Sequence, residues 1–243
     1  MNSRSTRTAV IIGASSGIGE ALARELHRSG WRLALLARRL DRLESLRATL
    51  SSETIVRGFD VAADDAAVIL ERLLDDLGSV ELVIISAGTG HNGSLQWAQD
   101  LETVSVNVLG FMAMAQVAMR HFMKHGRGHL VGISSIAALR GNPAAAYAAS
   151  KAFQSVYLDG LREVARSSGH PIAVTEVQPG GVDTAMLKPD RPLAPLIRRL
   201  FVASPEKAAR QILRAIEQRK KHAYITRRYA LVGFVLKLLP RPG

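Results

Sequence analysis

A chain of 243 residues that is 47% hydrophobic carries enough apolar side chains for one large core, which excludes a disordered protein. It contains no cysteine, so disulfides, thiol nucleophiles and cysteine-bound metals are excluded together, in keeping with a reducing cytoplasm. The net charge of +11 is local: residues 191–243 hold 13 Lys and Arg against Glu206 and Glu217, while residues 1–190 hold 19 of each sign, so a general nucleic-acid surface is not expected.

A short basic lead without the apolar core of a signal peptide precedes TAVIIG (8–13), which reads as a buried strand. A helix follows from about Gly17 to Ser29. RLALLA (32–37) is a second strand, with a helix through LDRLESLRATL. TIVRGFD (54–60) is a third, followed by a helix over 63–77. ELVIISAG (81–88) is a fourth, followed by long helical sequence over 102–125. GHLVGISS (128–135) is a fifth, and the helix after it carries Tyr147. IAVTEVQPG (172–180) is a sixth, and HAYIT (222–226) a seventh after the helix SPEKAARQILRAIEQ. Short apolar strands alternating with amphipathic helices predict βαβ crossovers. The expectation is one α/β doubly wound domain over residues 1–226, with a seven-stranded, mostly parallel sheet flanked by helices. No segment is expected to reach the ~20 apolar residues of a membrane span.

Residues 227–243, RRYALVGFVLKLLPRPG, form a basic and apolar C-terminal extension. Three readings compete for it: packing on a partner subunit, cover for a pocket, or peripheral membrane contact through its arginines. His121, His125, His129 and His170 are scattered without ligand spacing, so no metal site is expected.

Two motifs carry chemistry. GASSGIG places Gly13, Gly17 and Gly19 where the first strand turns into a helix, a setting in which free N–H groups can face a pyrophosphate. In AYAASKAF, Tyr147 and Lys151 stand four apart, on one face of a helix. An ammonium beside a phenol favours the phenolate and so eases loss of its proton.

Together, GASSGIG and YAASK resemble the short-chain dehydrogenase/reductase family, and further stations follow in order over residues 8–226. SAG (86–88) stands where the family has N-A-G, with Ser86 replacing the asparagine and Ala87 and Gly88 in place. GFDV sets Asp60 and Val61 at the adenine contact, and QPGGVDTAM sets Pro179, Gly180, Val182 and Thr184 beside the nicotinamide. The resemblance implies a Rossmann-type fold and a nicotinamide cofactor on the glycine loop, including Ser15, Ser16 and Ile18. It also implies that Tyr147 protonates the substrate oxygen as hydride arrives, while Lys151 lowers the tyrosine pKa and binds the ribose. Asn107 is then expected to hold a water linking Lys151 to solvent. The serine that hydrogen-bonds the substrate is Ser134 when counted back from Tyr147, and Ser135 when the strand end is aligned. Ser135 is preferred, because a one-residue deletion in the exposed loop 141–146 is easily tolerated.

At the end of the second strand an acid would bind a ribose 2′-OH, and an arginine would accept a 2′-phosphate. Ala37 takes the acid's place and Arg38 and Arg39 follow, which favours NADP(H) over NAD. The reading is an NADP(H)-dependent oxidoreductase acting on a carbonyl or alcohol, with a catalytically silent NADP(H)-binding regulator as the alternative. The segment AMLKPDRPLAPLIRRLFVAS is consistent with a lid over a lipophilic substrate, and the long helices are expected to pair copies into a homo-oligomer.

Overall fold

The computed structural model describes residues 7–91, 95–187, 201–226 and 229. Seven strands lie side by side in the order β3-β2-β1-β4-β5-β6-β9. They are β1 (Thr8–Ile12), β2 (Arg32–Ala37), β3 (Ile55–Gly58), β4 (Leu82–Ile85), β5 (Gly128–Ile133), β6 (Ile172–Pro179) and β9 (His222–Ile225). Every pairing in this sheet is parallel. Helices α1 (Gly17–Arg28), α2 (Leu40–Ala48), α3 (Ala66–Leu77), α4 (Trp97–Val104), α5 (Phe111–His125), α6 (Ala145–Ser167) and α7 (Pro205–Glu217) connect and cover the strands.

The alternating direction of side chains along each strand decides which layer each residue joins. Val10, Ile12, Val83, Ile85 and Leu130 pack on one face with Leu70, Phe111, Phe122 and Leu158 from α3, α5 and α6. Ala9, Ile11, Leu82, Ile84 and Val131 pack on the other with Leu22, Leu26, Leu43 and Ile212 from α1, α2 and α7. Both faces are covered, which explains why the strands read as continuous apolar runs. Helix α7 starts where Ser204 Oγ accepts from the Lys207 N–H at 3.3 Å, with Pro205 in the first turn.

Three features depart from the sequence expectations. The helix expected over 102–125 begins at Trp97 and is interrupted by a π-helical stretch, Ser105–Gly110. A second sheet pairs β7 (Gly181–Val182) with β8 (Val202–Ala203). The helical run Trp97–His125 is also long and apolar enough to meet the criterion for a membrane span, contrary to expectation, but half of its apolar window is buried. Phe111, Met114 and Phe122 spend that hydrophobicity on the core. Of the C-terminal extension 227–243, only Tyr229 lies among the described residues, so the three readings of that segment fall outside them.

Candidate active site

β1 and β4 are neighbours from which the chain departs in opposite directions, and such a switch point opens a crevice at the carboxyl ends of the strands. There Gly13 adopts φ +93° and its N–H donates to the Leu36 carbonyl at 2.7 Å. A Cβ at this position would stand 2.4 Å from the Ala87 backbone nitrogen, so only glycine fits under the turn after β4. Ala87 therefore crosses directly over the glycine loop, and Gly88 lies against Asn107 and Lys151. Gly17 opens α1, Ile18 packs against the lower core, and Gly19 lies against the Gly13 carbonyl.

Ser16 occupies the N-cap position of α1 but makes no capping bond. Its hydroxyl accepts from Arg39 Nη2 at 2.7 Å, and Ser15 Oγ accepts from the same nitrogen at 3.0 Å. The first N–H groups of α1 therefore remain uncapped by side chains, and the helix dipole favours an anion there. Arg38 turns away to Glu102 at 3.8 Å, so the two arginines diverge. Asp60 follows β3 and accepts from the Ala62 N–H at 3.0 Å, beside buried Val61. A loop that only small residues can line, an uncapped helix start and a guanidinium beside them fit a dinucleotide phosphate backbone.

The proposed catalytic residues converge at the carboxyl end of β5. Ser134 and Ser135 both lie beyond its last residue and diverge. Ser134 Oγ donates to Glu176 Oε1 at 2.7 Å, away from the crevice. Ser135 caps the short 3₁₀ turn Ile136–Leu139 by accepting from the Ala137 N–H, and its hydroxyl lies close enough to the Tyr147 phenol to pull the phenol's pKa down. Gly90 packs against the Tyr147 ring. Burial raises the phenol's pKa, and Ser135 pulls in the opposite direction without cancelling it. That direction is opposite to the lowered value expected from the Tyr147–Lys151 spacing.

The reason lies in where Lys151 points. Its Nζ donates to the Ile133 carbonyl at 3.1 Å and to Gln154 Oε1 at 2.9 Å, and stands 5.7 Å from the Tyr147 ring centre. Burial pulls its pKa down to about 7. Asn107, fully buried in the π-helical stretch, uses its side chain elsewhere. Its Oδ1 accepts from the Thr89 N–H at 2.9 Å, and its Nδ2 donates to the Thr89 carbonyl at 2.7 Å and to Ser150 Oγ at 3.0 Å. It thereby clamps the loop after β4 onto α6. The Asn107 carbonyl accepts from Gln154 Nε2 at 2.8 Å.

The far wall is the segment after β6. Pro179 ends the strand, Val182 is buried in the small sheet, and the Thr184 methyl lies against Gly17 of the glycine loop. The Tyr229 ring lies on Gly180 so closely that a Cβ there would overlap it, and its hydroxyl donates to the Phe201 carbonyl at 3.0 Å. Ser86, which stands where the resembled family has asparagine, is held through its backbone N–H, which donates to the Ile12 carbonyl at 2.8 Å.

The family model for short chain dehydrogenases matches residues 7–193. An oxidoreductase of Myxococcus xanthus is 37% identical over 196 residues, 76% of either chain. The chain belongs to the short-chain dehydrogenase family. The putative oxidoreductase SadH of Mycobacterium tuberculosis is 31% identical over 237 residues, covering 89% of this short-chain dehydrogenase and 84% of SadH. Among solved structures, a short-chain dehydrogenase from Sphingobium yanoikuyae in complex with NADPH superposes with a TM-score of 0.80 at 23% identity, over 98% of each chain. A 3-ketoacyl-(acyl-carrier-protein) reductase from Brucella melitensis complexed with NADH gives 0.80 at 19% identity, over 90% of this chain and 96% of that one. These likenesses are of fold. Their cofactors differ, so the choice of nicotinamide falls to the residues beside the loop.

Sequence reasoning about this short-chain dehydrogenase passed over Ser150 and Gln154, took Thr89 only as part of a pocket wall, and met Tyr229 only within a C-terminal extension that could cover a pocket. For Ser150 and Gln154 a signal existed. They stand three and seven positions after Tyr147, among residues of α6 that are buried with Ala148, Leu158 and Leu161. Polar side chains on the buried face of a helix need partners, and here the partners are Asn107 and Lys151. Thr89 contributes only backbone atoms, which no sequence pattern announces.

Proposed function

We propose that this oxidoreductase uses NADP(H) to move hydride between the nicotinamide and a carbonyl or alcohol substrate, with Tyr147 as acid–base. The reading rests on the Ser135 hydroxyl meeting the Tyr147 phenol at the crevice, beside a glycine loop that fits a dinucleotide. Gly13, Ser15, Ser16, Gly17, Ile18 and Gly19 would hold the phosphates, Arg39 the 2′-phosphate, and Asp60 and Val61 the adenine. Ala87, Gly88, Tyr147, Lys151, Pro179, Gly180, Val182 and Thr184 would line the nicotinamide end. Bound there, the cofactor supplies or accepts the hydride.

The chain's own residues handle the proton. Ser135 donates to the substrate oxygen and fixes it beside the phenol. Tyr147 Oη gives its proton to that oxygen as negative charge develops there, and takes one back in the reverse direction. A phenol with a raised pKa is held protonated at neutral pH, so the site is set for carbonyl reduction, with oxidation emerging at alkaline pH. Lys151 binds the ribose. Asn107 keeps the loop after β4 in register with α6. A silent regulator would have no need of a serine hydroxyl aimed at the phenol.

NADP(H) is favoured because Arg39 already bridges both loop serines while Ala37 leaves no carboxylate to bind a 2′-OH. Fluorescence titration tests it: tighter binding of NADPH than of NADH is expected, and equal or tighter NADH would overturn the choice. The substrate class is a small carbonyl or alcohol of lipophilic character, although residues 188–200 of the expected lid lie outside the described residues. Following NADPH oxidation with aldehydes, ketones, quinones, sterols and 3-oxoacyl thioesters would identify the class.

The assembly proposed is a homo-oligomer in the cytoplasm. Phe153, Val156, Tyr157, Gly160 and Val164 line an apolar groove of about 750 Å³ along α6. Val156 is 71% exposed. A second copy presenting the same face would cover it by two-fold symmetry.

A further inference from the structure

We infer that Gln154 is a positioning residue: its neutral amide keeps Lys151 a charged ammonium inside the site and ties that ammonium to Asn107. This rests on the reading of Lys151 as the group that binds the nicotinamide ribose. Gln154 is fully buried, and both ends of its amide are committed. Oε1 accepts from Lys151 Nζ at 2.9 Å, and Nε2 donates to the Asn107 carbonyl at 2.8 Å.

The Asn107 carbonyl is available because the helix is locally wound as π. The Phe111 N–H donates to the Val106 and Val108 carbonyls and passes over that of Asn107. Such insertions loosen the ordinary i→i−4 ladder and recur at functional sites. The departure from regular helix and the burial of Gln154 are thus two halves of one bridge, from the π-helical stretch through the amide to the lysine.

The chemistry explains why an amide serves here. A lysine in a dry site tends to lose its proton, because burial disfavours the charged form. Among the described residues, the surroundings of Lys151 supply no counter-charge. From α6 it faces the Tyr147 phenol and Gln154, from β5 the Ile133 carbonyl, from the loop after β4 Gly88, and from the π-helical stretch the Asn107 amide. Burial pulls its pKa down to about 7, and no facing charge opposes that pull. A carboxylate at position 154 would restore the proton but cancel the charge, while an aliphatic side chain would let the proton go. A neutral acceptor preserves a net positive charge beside the phenol and the ribose site. An amide cannot pass a proton along as water does, so Gln154 holds the lysine without being part of a relay.

The two alternatives shift Lys151 in opposite directions, and NADPH binding reads the shift without any substrate. If the ammonium binds the ribose, affinity is present below the Lys151 pKa and lost as pH rises through it. NADPH affinity is measured by fluorescence from about pH 5 to 10, and repeated with NADH to remove titration of the 2′-phosphate. Wild-type protein should show a loss of affinity centred near its Lys151 pKa, and Lys151→Met should abolish that step. Gln154→Met should move the step down by about one pH unit, and Gln154→Glu should move it up by about as much. A merely structural role would move neither, or both in the same direction. Should Gln154→Met fail to fold, Gln154→Leu takes its place, with the same downward shift expected. A step that stays in place in the folded variants overturns the role of Gln154 and leaves the site reading intact. Absence of any step removed by Lys151→Met, or of binding by either cofactor, overturns the site reading and this inference with it.

Discussion

Tyr147 and Lys151 could be found in the sequence because four-residue spacing on a helix is itself geometry. The consequence drawn from that spacing, a lowered phenol pKa, did not follow. Which way a flexible lysine turns depends on acceptors that come from elsewhere in the chain, here Ile133 and Gln154. The two serines show the same limit. Their adjacency in ISS says only that they diverge; Glu176 on β6 and Tyr147 on α6 decide which takes which direction. Ser135→Ala is expected to lower kcat for carbonyl reduction sharply, with NADPH affinity retained. Ser134→Ala should leave kcat near wild type and cost about 1–3 kcal/mol of stability, because it removes a donor from a buried carboxylate. Steady-state kinetics and thermal melts on both variants separate the roles. Arg39→Ala should weaken NADPH by roughly 10- to 100-fold, the worth of a charge-assisted hydrogen-bonded contact, with NADH little changed. Equal losses for both cofactors would remove Arg39 from the 2′-phosphate site.

The strands and most helices were legible because burial on both faces of a parallel sheet leaves long apolar runs, and α1, α6 and α7 carry clear helical sequence. The π-helical stretch Ser105–Gly110 was not, since SVNVLG has the composition of ordinary helix and its winding is set by Thr89, Ser150 and Gln154 around Asn107. Nor was β7–β8, two residues a side and too short to carry a period. Helix α6 serves two ends at once. Its buried face carries Tyr147, Lys151 and Gln154, and its outer face carries the apolar groove around Val156. Val156→Glu is expected to shift the protein to a smaller assembly by light scattering, while NADPH affinity is preserved, because the substituted side chain points away from the site. An unchanged mass would remove α6 as the subunit contact.

At the scale of the whole molecule, the charge asymmetry seen in the sequence leaves the catalytic body balanced. Acid sensitivity comes instead from buried imidazoles. Burial holds His129 and His121 at pKa values of about 4, well below the usual 6.5. Both are neutral in the fold, whereas the unfolded chain takes up protons below about 6.5. Stability is therefore fully present above that value and falls as pH drops toward 4, by about 2 kcal/mol for His129 at pH 5 and by less for the more solvated His121. Glu176 adds to the same trend at lower pH. Burial raises its pKa, but hydrogen bonds from His222, Ser134, Ser155 and Gln178 together outweigh burial and leave it lowered. Its contribution is present above the ordinary carboxylate range and lost as pH falls through its lower folded value. Melting temperature measured from pH 8 to 4 should decline from near pH 6.5 in wild type and less steeply in His129→Gln. A flat profile down to pH 5 would contradict the neutral assignment.

The central claim, hydride transfer with Tyr147 as the proton donor, is tested most directly by Tyr147→Phe. The substitution keeps the ring against Gly90 and removes only the hydroxyl. Carbonyl-dependent NADPH oxidation is compared between wild type and variant, with NADPH binding measured on the same samples. The account predicts retained binding and a fall in turnover of about 10²–10⁴, the worth of a positioned general acid. Near-normal turnover in Tyr147→Phe would contradict it.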